Sequence, residues 1–129
     1  MLAGAAAGCG GEAETSTEGS MAAASPGRLT GAEQRLLLIY DRRIQAHCVR
    51  VTRSLVEPRA TPTAQQEKRA FAAADALIAL AAEKPAAPLE AGSDTRLFLS
   101  DVLENLGGSN CDPRMIDRLA QGLAQIPVQ

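Results

Sequence analysis

Tryptophan is absent from this 129-residue chain, and its three aromatic side chains, Tyr40, Phe71 and Phe98, make up only 2% of it. The usual stacking platform for bases or sugars is therefore missing, and a net charge of −2 supplies no general attraction to nucleic acid. No apolar stretch approaches the roughly 18–20 residues that a membrane-spanning helix needs. Histidine occurs once, at His47, so a two-histidine zinc site is excluded and a mixed site would have to draw on the cysteines. Phosphate loops of the form GxxxxGK(S/T), dinucleotide GxGxxG turns, GxSxG elbows and HExxH helices are all missing, and the carboxylates are scattered without a paired arrangement. Nothing in the chain argues for an enzyme, a metal or a cofactor.

What is present is an apolar fraction of 46% built from Leu, Ile, Val and a large share of Ala. Such a core suits helices that approach one another closely. From Gly10 to about Arg28 the chain carries Glu12, Glu14 and Glu18 among Gly, Ser, Thr and Ala, which cannot bury enough surface to offset their ordering entropy. The expected organisation is a flexible tether over residues 9–29, with a mean reach of roughly 25 Å, followed by one helical domain over residues 30–129.

Four helices are expected. The first runs from Thr30 to Val56, with Thr30 and Glu33 as a capping box and Glu57-Pro58 as its stop. Leu37, Tyr40, Ile44, Cys48, Val51 and Leu55 gather on its inner face, while Arg35, Arg42, Arg43, Arg50 and Arg53 gather opposite within an arc of roughly 100°. The second fits Thr63 to Glu83, opened by a Thr63/Gln66 box and rich in alanine; Phe71, Ala74, Leu77, Ile78, Leu80 and Ala81 form its packing side. Pro85 and Pro88 enforce an irregular connection to about Gly92. Ser93 or Asp94 caps a third helix through Leu106, with Gly107-Gly108 as a left-handed exit. Asp112-Pro113 opens the fourth, whose stripe is Ile116, Leu119, Leu123 and Ile126. No alternating run supports a strand. The fold class is all-α, an up-and-down bundle with two long and two short helices.

A short apolar run, Leu2 to Gly8, ends in Ala6-Ala7-Gly8-Cys9 and passes directly into Gly10-Gly11 and the Glu/Ser/Thr stretch. This resembles the cleavage and lipidation site of bacterial lipoproteins. The resemblance covers about ten residues and implies that residues 1–8 are a signal-peptide remnant, that Cys9 carries lipid, and that the chain lies in the cell envelope, anchored to the membrane outside the cytoplasm. With Cys9 so consumed, Cys48 and Cys111 remain as an even pair in an oxidising compartment, where a disulfide is the default. Closing that loop of roughly 62 residues is worth about 4 kcal/mol in the chain-entropy picture. Two buried free thiols are the alternative. Initiation at Met21 would instead discard Cys9 and leave a cytosolic helical interaction protein.

Two side-chain groups stand out as binding candidates. The five arginines of the first helix form a positive stripe suited to anionic lipid headgroups, an anionic wall polymer or an acidic envelope protein, since guanidinium pairs well with phosphate and carboxylate. The alternative is a solvated face paired in part by Asp41, Glu57 and neighbouring helices. Tyr40 and His47, seven apart, share the edge of the apolar stripe and would suit a flat ligand such as haem, or simply mark the core boundary. His47 is adjacent to Cys48 in sequence, but neighbours on a helix diverge by about 100°, so they do not form a thiol–base pair. The function expected is a non-catalytic binding or accessory module of the cell envelope, with a cytosolic interaction protein and a carrier of a small apolar ligand as alternatives.

Overall fold

The computed structural model describes residues 27–108 and 111–128; Cys9, the expected lipidation site, and most of the proposed tether lie outside them. From Gly31 onward the chain forms one compact unit. Four helices make it up: α1 (Gly31–Ser54), α2 (Ala64–Glu83), α3 (Thr95–Gly107) and α4 (Pro113–Ala124). The described residues contain no strand, only an isolated bridge between Pro88 and Asp94. The all-α class expected from periodicity is what forms.

Local chemistry sets the helix starts. Thr63 accepts a hydrogen bond from the Gln66 backbone N–H at 3.1 Å while the Gln66 side chain accepts from Thr63 N–H at 3.0 Å, the reciprocal box expected for α2. Asp94 caps α3 by accepting from Leu97 N–H at 2.8 Å, and Asp112 caps α4 by accepting from Arg114 N–H, with Pro113 at the first helical position. Between α2 and α3 the chain turns through Gly92 at φ +73°, a conformation that favours glycine.

Alanine determines how the helices assemble. Ala70, Ala73, Ala74 and Ala81 are buried on α2 beside Leu77 and Leu80, and α2 packs against all three other helices. The small side chains let the neighbours come close enough to seal a core of Leu37, Ile44, Leu77, Leu99, Leu106, Met115 and Leu119. At Gly122 α4 comes close to α2, since a Cβ there would meet the Ile78 side chain at 2.7 Å. Among the described residues α1 and α4 do not pack along each other; the connection between those parts of the fold is made just ahead of α4.

Three expectations are corrected. α1 ends at Ser54, whose hydroxyl donates to the Val51 carbonyl, so Leu55 leaves the helical stripe and is 71% exposed rather than inward. The exit of α3 is not left-handed: Gly108 sits at φ −85°, in the right-handed region. Ile126 is buried as expected but lies beyond the end of α4, where its carbonyl accepts from Arg96 Nε of α3 at 3.2 Å.

Candidate functional site

Cys48 and Cys111 are disulfide-bonded, with Cα atoms 4.6 Å apart and 63 positions of separation. One residue to either side, His47 Nε2 meets Asp112 Oδ2 at 3.0 Å. The pairs 48/111 and 47/112 are nested, so one covalent and one polar link fasten the middle of α1 to the cap of α4. His47 is fully buried, which places the histidine expected at the core boundary inside it. Tyr40, its proposed companion, is half-buried on the same helix.

Asp112 carries this junction. Its Oδ1 accepts from the Arg114 N–H at 3.0 Å and from Arg114 Nε at 3.1 Å; its Oδ2 accepts from an Arg114 Nη at 2.7 Å and from His47. The Arg114 guanidinium, above all, holds the carboxyl at about 2; burial opposes the shift, and the bond from His47 adds to it. Arg114 is correspondingly raised, first by Asp112 and then by Glu67. Because the ionised carboxylate only accepts, the hydrogen of His47 belongs on Nε2. Its Nδ1 is buried without a hydrogen-bond partner among the described groups.

His47, Glu67 and Asp112 offer ligand atoms all within 4.8 Å of one another, the spacing of a metal centre. Two observations argue for a different use. Arg114 bonds both carboxylates, Glu67 at 2.6 Å and Asp112 at 2.7 Å, so a guanidinium already neutralises them. His47 Nε2 is also committed as a donor, and freeing it for a metal would move its hydrogen to a buried nitrogen with no acceptor. The cluster is a clamp built around Arg114.

Phe71 completes it. The imidazole of His47 meets its ring edge-on at 5.5 Å between centroids, and the guanidiniums of Arg114 and Arg118 lie 5.4 and 4.9 Å from the centroid. Arg118 also pairs with Asp75 at 3.3 Å. Both arginines of α4 are thus absorbed by the fold.

The arginines of α1 are not. Arg35, Arg42, Arg43 and Arg53 are exposed and Arg50 is half-buried, as the helical period implies. Of the expected pairings only Arg53 with Glu57 forms, at 3.0 Å between two side chains that are mostly exposed. Asp41 interacts with Gln45, and Glu33 accepts from Lys84, the residue that follows α2. Among the described residues Arg35, Arg42, Arg43 and Arg50 have neither an ion pair nor a side-chain hydrogen bond. With five arginines against Glu33 and Asp41, α1 carries a charge of 5 − 2 = +3 in a chain whose net charge is −2. Leu38 and Val49, each more than half exposed, border this face on the helix surface.

Where α1 ends, the face deepens into a groove of about 380 Å³ lined by Arg50, Arg53 and Arg59, with Glu57, Thr61 and Gln66 on its walls. Arg59 sits on a short 3₁₀ turn, Pro58–Ala60, that packs against α1. Sequence periodicity passes over Arg59 because it lies in a connection, and only its proximity to Arg50 and Arg53 along the chain signals it. No family model, curated protein or solved structure matches this chain.

Proposed function

We propose that this chain is a cell-envelope lipoprotein, anchored through Cys9, whose helical domain is a non-catalytic module that binds an anionic envelope component through the outer face of α1. The observation that carries this reading is the set of unpaired arginines: among the described residues four of the five have no partner, and three of these, Arg35, Arg42 and Arg43, are exposed. An exposed charge of this kind contributes little to stability, so its clustering on one helix is best accounted for by something outside the fold. The Cys48–Cys111 bond supports an oxidising compartment. Among the described residues no helix is long and apolar enough to cross a membrane, so the anchoring assigned here rests on Cys9.

Intact-mass measurement on protein from its native host tests the anchor. The expected result is loss of residues 1–8 with acyl mass on Cys9, and an unmodified chain starting at Met21 would replace the envelope reading with a cytosolic one. Co-sedimentation of the unlipidated chain with anionic vesicles tests the face. Binding is expected at low salt and should fade as the screening length falls to about 8 Å near physiological strength.

A further inference from the structure

We infer that the groove at the end of α1 is a binding site for a phosphate monoester, held by Arg50, Arg53 and Arg59; the inference rests on the reading of the α1 face as an anion-binding surface. Three arginines line one concavity there, and they come from two separate elements, α1 and the 3₁₀ turn. Glu57 is the one carboxylate lining it and pairs with Arg53 alone, which leaves a local charge of 3 − 1 = +2. A carboxylate has one negative charge and two oxygens in a plane, and one guanidinium fork satisfies it. Cationic groups from two elements instead suit a tetrahedral anion, whose oxygens accept from several directions and whose charge reaches about −2 at neutral pH.

The rest of the lining agrees with this. Thr61 supplies a hydroxyl, which serves as a neutral donor to a phosphate oxygen. The capping box meanwhile takes the Thr63 and Gln66 backbone N–H groups for itself, so recognition falls to side chains rather than to the helix end. At about 380 Å³ the groove has the size of a small-ligand site and exceeds a bare phosphate, which favours an ester with an organic part. The contrasting groove on the other side of α2, lined by Phe71, Arg114 and Arg118, has its arginines bound to Glu67, Asp112 and Asp75.

Such an ester comes either from a phospholipid headgroup or from a soluble molecule, and titration of the full chain carrying Cys9→Ser separates the two. Glycerol 3-phosphate, acetate at matched ionic strength, and phosphatidic acid vesicles in a phosphatidylcholine background are the probes, read by calorimetry and co-sedimentation. Glycerol 3-phosphate should saturate one site and acetate should not. Arg59→Gln should weaken the ester about tenfold, the usual scale for losing a charge-assisted hydrogen bond, with Arg59→Lys intermediate because the charge stays and the fork is lost. The triple variant Arg35→Gln/Arg42→Gln/Arg43→Gln should leave ester affinity unchanged. Competition of the ester against vesicle binding assigns the site to headgroups; ester binding without competition assigns it to a soluble ligand. If vesicles bind and that outer triple variant abolishes binding while Arg50→Gln/Arg53→Gln/Arg59→Gln does not, the groove inference fails and the face reading stands. If neither probe binds at low salt, the face reading itself fails. Unchanged helicity and melting of each variant exclude loss of fold as the cause.

Discussion

Two sets of arginines on one small domain have opposite fates. Arg114 and Arg118 on α4 each reach a carboxylate and lie near the face of Phe71, whereas Arg35, Arg42, Arg43 and Arg50 on α1 reach no polar partner among the described residues. Composition does not explain the difference, because the 15 acidic side chains outnumber the 13 basic ones. Placement does. Glu67 and Asp75 of α2, together with the cap Asp112, line the seam against which α4 packs, while among the described residues Asp41 and Glu57 beside the α1 arginines bond Gln45 and Arg53. Charge that serves the fold is paired across helices, and charge left unpaired on a single helix is available to a partner.

The largest expected effect breaks the junction on which the paired side depends. Cys111→Ser should lower stability by about 2–5 kcal/mol, because the disulfide and the adjacent His47–Asp112 bond fasten α1 to the cap of α4 while those two helices do not pack along each other. Thermal unfolding measures it, at about 4–8 °C for each kcal/mol in a domain of this size. The arginines of α1 do not depend on that junction, so salt-sensitive vesicle binding at low temperature should survive in the folded fraction.

The next effect tests Asp112 itself and has a defined pH window. Its carboxyl is depressed from 3.8 to about 2 in the folded chain, so the stability it contributes is complete above about pH 4 and is lost as pH falls from there through 2. Asp112→Asn should therefore cost about 1–2 kcal/mol at pH 7, combining a weakened clamp on Arg114 with a poorer acceptor for buried His47. Urea denaturation at stepped pH should show the gap between wild type and variant closing below pH 4. A gap that stays constant to pH 2 would mean that the carboxylate charge plays no part.

Much of this architecture was legible in the residues. Thr63 with Gln66, Asp94, and Asp112 before Pro113 announce helix starts through local hydrogen-bonding chemistry, and local chemistry survives folding. The arginine arc of α1 was legible for the same reason, since a helical period requires no knowledge of neighbours. The clamp was not. His47 and Asp112 are 65 positions apart, and neither pattern nor propensity relates them. Once Cys48 is paired with Cys111, however, the residues one step outward on each side become neighbours, and a histidine opposite an aspartate in that nested position is a signal that cysteine arithmetic already contained. Leu55 misled because periodicity continues past the physical end of a helix. Arg59 left no periodic trace at all, and its contribution to the groove comes from the turn that folds Pro58–Ala60 beside α1.

The smallest effect is a difference between two substitutions of the same kind. Arg114→Gln removes the cation shared by Glu67 and Asp112 and leaves two carboxylates facing each other, so it should lower stability by about 0.5–1 kcal/mol, modest because the guanidinium is well exposed to solvent. Arg42→Gln with Arg43→Gln should change stability by no more than about 0.5 kcal/mol, since neither side chain has a partner to lose. On anionic vesicles the order should reverse, with the α1 pair weakening binding and Arg114→Gln leaving it near wild type. Chemical denaturation and co-sedimentation on the same preparations measure both. If Arg114→Gln abolishes vesicle binding while the α1 pair destabilises the domain, the division between structural and available arginines is wrong. The groove beside Phe71 would then replace the α1 face as the surface to pursue.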